Sequence, residues 1–174
     1  SEEVDLVGLL VDTVADARAA GPEHDWQLDL AVLEPPAGAT AEEAEDFLPE
    51  PPLVIGDEAR LRQVVVNLLA NARVHTPAGS HVTPTLAREG DTLIVRIHDD
   101  GPGIAPDVRD RLFERFARGD SSRERRTGST GLGMSIALAI VQSHGGSIDV
   151  DSSTASEDHG TTFTVRLPAA VVEE

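Results

Sequence analysis

Residues 60–77 read RLRQVVVNLLANARVHTP. Leu61, Val64, Val65, Leu68, Leu69 and Ala72 recur at the spacing of one helix face. Asp57, directly after Gly56, is a suitable N-cap, and the helix stops near Thr76-Pro77. A stripe this apolar must be covered, and the neighbouring segments decide by what. Downstream, residues 81–99 (HVTPTLAR, the turn Glu89-Gly90-Asp91, then TLIVRIHD) read as a hairpin. Pro84 places the first of its strands at an edge or a bulge, because proline cannot donate to a ladder. Two further strands, 147–151 and 161–167, close the chain after a second apolar helix at 132–144 that ends at Gly145-Gly146.

Working upstream, residues 3–19 carry Val4, Val7, Leu10, Val11 and Val14 at helical spacing, and Gly21-Pro22 ends that helix. Residues 26–33 (WQLDLAVL) alternate and predict a half-buried strand. Residues 34–52 hold five prolines and six acidic residues with no base, and read as an acidic surface loop. A docking site for a basic partner is the functional alternative there. A short apolar run, 53–55, follows. Helices thus cluster with a mostly antiparallel strand set. The expected fold is a two-layer α/β sandwich with a mixed, mostly antiparallel sheet covered on one face by helices, in one domain spanning 1–174.

Composition narrows the chemistry. The 174 residues carry 14 basic and 31 acidic side chains, a net charge of −17. That argues against non-specific nucleic-acid or anionic-membrane binding, both of which need a basic footprint. There is no cysteine, hence no disulfide, thiolate metal site or cysteine nucleophile. Every base is arginine, which excludes a lysine P-loop, a lysine Schiff base and the strand lysine of eukaryotic-type kinases. No apolar run approaches the ~20 residues that span a bilayer. The expectation is a cytoplasmic domain, excised from a larger and membrane-anchored chain.

Four clusters carry candidate chemistry. Asn67 and Asn71 lie four apart on the long helix, bordering its buried stripe. They are either polar residues at the core edge or a neutral oxygen donor set suited to Mg²⁺. Asp99-Asp100-Gly101-Pro102-Gly103 follows a strand in which Asp99 shares parity with Leu93, Val95 and Ile97. It is a strand-ending turn or a buried acceptor beside a ligand. Gly128-Ser129-Thr130-Gly131-Leu132-Gly133 opens a helix, where free N–H groups favour phosphate. Arg118, Arg123, Arg125 and Arg126 reverse the local charge, as a solvated loop or as a lid that pairs with phosphate.

The order of these motifs resembles the catalytic ATP-binding domain of sensor histidine kinases, in the GHKL (Bergerat-fold) superfamily. RLRQVVVNLLANARVHTP is similar to the family's N box, HDDGPGIAPD to its G1 box, RLFERFARGD to its F box and GSTGLGMSIALAIVQSHGGSI to its G2 box. GTTFTVRLP is similar to its closing strand. The resemblance covers 4–168. It implies a Bergerat fold with a mobile ATP lid, the F box and lid falling in 104–130. It implies Mg²⁺ on Asn71, supported by Asn67, and His75 near the nucleotide. Asp99 would accept from the adenine amino group, Gly101 and Gly103 would shape the base pocket, and Thr161 would lie near the base. Gly131, Leu132 and Gly133 would meet the phosphates, with Arg118 in the lid. Phe113 and Phe116 would anchor that lid. His24, His81, His98 and His159 are read as structural or solvated, and His144 as a helix terminus.

The resemblance further implies transfer of the ATP γ-phosphate to a histidine on a helical-hairpin phosphoacceptor domain, then signalling to a response regulator. The intact protein would be a homodimer through that hairpin. Hydrolytic relatives carry a glutamate base where this chain has Asn67, and an amide cannot deprotonate water. No histidine here has phosphoacceptor context, so the fragment is expected to bind Mg-ATP without phosphorylating itself. A serine kinase of the same superfamily and a nucleotide-binding module without transfer are the alternatives. One departure stands out: the basic residue expected three positions after Asn71 is Val74, with Arg73 before it.

Overall fold

The computed structural model describes residues 1–105, 107 and 131–171. Phe113, Phe116, Arg118 and the other arginines of 118–126 lie outside the described residues, as does the side chain of Leu132.

Elements run in the order β1 (Glu2–Asp5), α1 (Leu6–Ala20), β2 (Asp25–Trp26), a 3₁₀ turn (Ala31–Leu33), α2 (Ala41–Asp46), β3 (Leu53–Gly56), α3 (Glu58–Val74), β4 (His81–Glu89), β5 (Thr92–Asp99), α4 (Gly131–Ser143), β6 (Ser147–Ser153) and β7 (Gly160–Pro168). The main sheet has the order β2-β4-β5-β7-β6, parallel only between β2 and β4. β1 and β3 form a separate antiparallel pair. Val82 and Leu86 of β4, Leu93, Val95 and Ile97 of β5, and Phe163, Val165 and Leu167 of β7 are buried on one face. They join Leu10 and Val14 of α1, Leu61 and Leu68 of α3, and Met134 and Val141 of α4 in one core. This is the expected sandwich of a mostly antiparallel sheet covered on one face by helices.

Local chemistry explains the helix limits. Asp57 Oδ1 accepts the Arg60 N–H at 3.2 Å, capping α3. At the far end of α4, Gly145 takes a positive φ of 77° and Gly146 N–H reaches the Val141 carbonyl at 2.9 Å, which satisfies late carbonyls of the helix. His144 adds a tie: its Nδ1 lies 2.7 Å from the Ile140 carbonyl and its Nε2 accepts the Asp57 N–H at 3.1 Å. The end of α4 is thereby fastened to the start of α3.

Three expectations need correction. The helix of 3–19 starts at Leu6, because Asp5 caps it by accepting the Val7 N–H at 2.9 Å, and 2–5 pair with β3 instead. The acidic loop contains a helical turn, α2, capped by Thr40 Oγ1 accepting the Glu43 N–H at 3.1 Å. The strand of 26–33 shrinks to Asp25–Trp26 plus a single bridge between Asp29 and Thr85. Gln27 N–H reaches the Val82 carbonyl at 3.0 Å and Asp29 N–H the Pro84 carbonyl at 2.8 Å, so the chain still tracks β4. In that register the Gln27 carbonyl faces position 84, and proline has no N–H to offer it. The ladder breaks there. Pro84 itself sits one strand in from the edge, with only this short strand beside it.

Candidate functional site

β5 ends at Asp99 and pairs across the sheet with Thr161 near the start of β7. Both side chains are buried, each 5% exposed. Asp99 Oδ1 accepts the Gly101 N–H at 3.0 Å. Burial pushes the Asp99 carboxyl above its ordinary value, against the opposing pull of the Gly101 and Thr161 amides and of His98. A carboxyl held this way is a buried acceptor at the mouth of the sheet.

The loop after Asp99 is shaped by close approach. A Cβ on Gly101 would stand 2.5 Å from Thr76 Cγ2 and 3.0 Å from Asp99 Oδ1. Gly103 has φ 80°, and a Cβ there would overlap the Ser153 carbonyl oxygen. Ser152 Oγ accepts the Ile104 N–H at 2.7 Å, donates to the Gly160 carbonyl at 3.0 Å and lies 2.9 Å from Thr161 Oγ1. His159 Nδ1 is 2.6 Å from the Gly101 carbonyl. The loop is therefore held from both sides, by β6–β7 and by the end of α3.

α3 carries both asparagines, and Thr76, just after its end, lies against Gly101. Asn67 Nδ2 donates to the Gly133 carbonyl at 3.1 Å, which ties α3 to the first turn of α4. Asn71 is 8% exposed. It has no side-chain hydrogen bond to a described residue, while its backbone carbonyl accepts the His75 N–H at 3.0 Å. His75 is exposed at the C-cap. Below it, Thr76 Oγ1 donates to the Ala72 carbonyl at 2.6 Å and lies 2.8 Å from His24 Nε2. Since the hydroxyl proton is spent on Ala72, Nε2 of His24 is the donor. His24 Nδ1 is then a buried atom without a hydrogen-bond partner among the described residues, 4.0 Å from Glu23 Oε1. The stem of Arg73 lies over Gly21, at the end of α1.

Asp99 and Thr161 thus pair at one end of the sheet with Gly101 and Gly103 in the loop after Asp99, while Asn67 and Gly133 are joined between α3 and α4 and Asn71 lies one turn further along α3. Arg118, Phe113 and Phe116 lie outside the described residues. The sequence offers no signal for Thr76 and Ser152, whose roles depend on partners distant in the chain. His159, expected to be structural or solvated, touches the G1 loop. His24 is structural, as expected. His81 pairs with Asp100 at 2.8 Å and His98 Nδ1 lies 2.7 Å from Thr162 Oγ1, so both keep to the polar side of the sheet.

The family model for histidine kinase-, DNA gyrase B-, and HSP90-like ATPases matches residues 56–171, and the chain belongs to this family of ATP-binding domains. The probable sensor histidine kinase TcrY of Mycobacterium tuberculosis is 47% identical over 165 residues, covering 95% of this chain and 30% of TcrY. This chain therefore spans under a third of that relative's length. The structure of the mycobacterial sensor histidine kinase MprB has a TM-score of 0.72 at 28% identity, covering 98% of this chain and 100% of that one. Full-length ShkA in complex with AMPPNP has a TM-score of 0.70 at 27% identity, covering 98% of this chain and 31% of that one. The resemblance read from the boxes is borne out. Among the described residues no helix is long and apolar enough to cross a membrane.

Proposed function

We propose that this chain is the Mg-ATP-binding catalytic module of a sensor histidine kinase. The observation that carries it is the buried Asp99 carboxyl facing Thr161, beside a loop where Gly101 and Gly103 leave no room for side chains. An acceptor in a tight, water-poor slot selects a ligand that brings an N–H₂ and a flat edge, as adenine does. The similarly folded ShkA is in complex with AMPPNP, an ATP analogue, which supports the same ligand class here.

Each residue has a part in binding. Asp99 accepts from the adenine amino group, with Thr161 at its side. Gly101 and Gly103 admit the base. The free N–H groups at the start of α4, at Gly131, Leu132 and Gly133, receive phosphate oxygens, and Asn67 holds that turn in place through Gly133. His75 lies at the nucleotide's edge. Asn71 presents a nearly buried carboxamide without a hydrogen-bond partner among the described residues, which fits a hard cation. Among the described residues no three His, Cys, Asp or Glu side chains cluster as a metal site. Asn71 would hold Mg²⁺ through its carboxamide oxygen, beside the phosphates. When bound, Mg²⁺ supplies neutralisation of the charge on the transferring phosphoryl group. Arg73 lies over Gly21, which leaves phosphate pairing to the lid arginines, Arg118 first, with Phe113 and Phe116 anchoring that lid.

No base for water stands at Asn67, so transfer is favoured over hydrolysis. The acceptor is a histidine on a helical-hairpin domain of the same or a paired chain, within a homodimeric, membrane-anchored sensor whose cytoplasmic part includes this module. A response regulator then takes the phosphoryl group. The test has two stages. A fluorescent adenine nucleotide should bind the chain, more tightly with Mg²⁺. Labelled γ-phosphate should then pass to a supplied hairpin domain as an acid-labile adduct. An acid-stable adduct would point to a serine acceptor, and binding without any transfer to a bare nucleotide-binding module.

A further inference from the structure

The acidic segment that the nucleotide site does not use builds a groove at the other end of the sheet. A cavity of about 700 Å³ lies between this segment and the β4–β5 turn, lined mainly by Val32, Pro36, Phe47, Leu48 and Ala87, with Glu50 at its rim. The segment is braced. Val32 is buried in the core, Arg88 pairs with Glu50 at 2.9 Å, and Arg88 Nε donates to the Gly90 carbonyl at 3.1 Å. β5 leads from this turn to Asp99, and at ~3.3 Å per residue its length sets the groove about 23 Å from the nucleotide site.

Two independent features define what fits. The first is apolar: Leu48 is 88% exposed beside Phe47, an arrangement that costs solubility unless something covers it. The second is charge. Arg88 compensates Glu50, but Glu34, which also lines the cavity, and Glu42, Glu43, Glu45 and Asp46 of α2, which leads directly into Phe47, have no ion pair with a described residue. A second copy would bring another net −17 to this face and be repelled. Nucleic acid and anionic lipid are repelled for the same reason. What remains is a polypeptide of opposite sign. We propose that the groove between the acidic segment and the β4–β5 turn docks a basic segment of a partner protein, with a bulky apolar side chain seated against Phe47 and Leu48 and flanking arginines or lysines meeting the acidic rim. Docking there leaves the nucleotide site open.

The probe is a short fluorescent peptide alternating arginine and leucine, titrated into the full chain. Two controls replace its arginines by glutamate or its leucines by serine. The expected result is saturable binding of the first peptide alone. Amide shifts should centre on Val32, Phe47, Leu48, Ala87 and Gly90. Leu48→Ser, at an exposed position that does not threaten folding, should weaken binding about tenfold. The triple variant Glu43→Gln, Glu45→Gln, Asp46→Asn should weaken it about tenfold and flatten its salt dependence. Unchanged adenine-nucleotide affinity in both variants would verify that they fold. Equal binding of the serine control, or indifference to Leu48→Ser, would reduce the contact to non-specific charge and overturn the proposal. So would shifts centred elsewhere, no binding at all, or a concentration-dependent dimer that Leu48→Ser abolishes.

Discussion

Asp99 and Asp100 are chain neighbours with opposite electrostatics. Burial raises the Asp99 carboxyl above the ordinary value near 3.8. Burial also acts on Asp100, but the His81 amide and ring, at 2.7 and 2.8 Å, outweigh it and lower that carboxyl. Their effects on stability run in opposite directions with pH. The folded state holds the Asp99 proton more tightly than the unfolded chain, so its contribution falls as pH rises from about 3.8 through the raised value. Asp100 contributes above its ordinary value and loses that contribution as pH falls through the lowered one. Asp99→Asn should therefore raise stability at neutral pH in denaturant titrations. It should nevertheless weaken ATP binding tenfold or more, about 1–3 kcal/mol, because an NH₂ replaces part of the acceptor. A variant that binds ATP normally would refute the adenine assignment. The glycines divide in the same way. Gly103→Ala meets both a left-handed φ and the Ser153 carbonyl, and should cost about 2–5 kcal/mol of stability. A Cβ on Gly133 stands 3.5 Å from Asn67 Cγ, an ordinary contact. Gly133→Ala should leave the melting temperature nearly unchanged while lowering nucleotide affinity, and a change in stability alone would remove Gly133 from the phosphate site.

Among the elements, α3 carries the most: an apolar stripe for the core, two asparagines for the site, and a first turn fastened to α4. Removing its cap by Asp57→Ala should cost about 0.5–2 kcal/mol in chemical denaturation. β4 presents the opposite case, an element limited by one residue. Pro84→Val supplies the N–H that the Gln27 carbonyl lacks, so β2 should extend through position 29. Hydrogen exchange would report it: the new amide at position 84 should be protected, and rapid exchange there would mean the ladder ends for another reason. Legibility in the sequence follows the range of the forces. Caps and turns such as Asp57 and Gly90 are readable because their partners lie within a few residues. The length of the strand at 26–33 is not, because it depends on a proline more than fifty positions away. Likewise β1 has the look of helix, since the apolar spacing of Val4 and Val7 suits α1 until β3 arrives to pair with it.

Over the whole molecule, charge has the widest reach. With −17 on 174 residues, self-repulsion opposes compaction, and the arginines cannot offset it. Raising NaCl from a few millimolar to about 0.5 M should raise the melting temperature by a few degrees, as the screening length falls below about 10 Å. A flat response would mean that the acidic residues are already compensated. The two ends of the sheet differ accordingly. The acidic segment stands at the turn end and the nucleotide slot at the opposite end, with arginines concentrated near the latter in sequence.

The chain by itself determined the helix–hairpin–helix order, the family, and which asparagines, glycines and aspartate sit near one another along the motifs. Periodicity, caps and short motifs are local properties, and they survive any arrangement in space. Only the folded structure decided that Asp99 faces Thr161, that Asn67 holds Gly133, and that Thr76, Ser152 and His159 brace the loop between them. Each of those contacts joins residues brought together by burying the sheet under α3 and α4, and no spacing in the sequence encodes that juxtaposition.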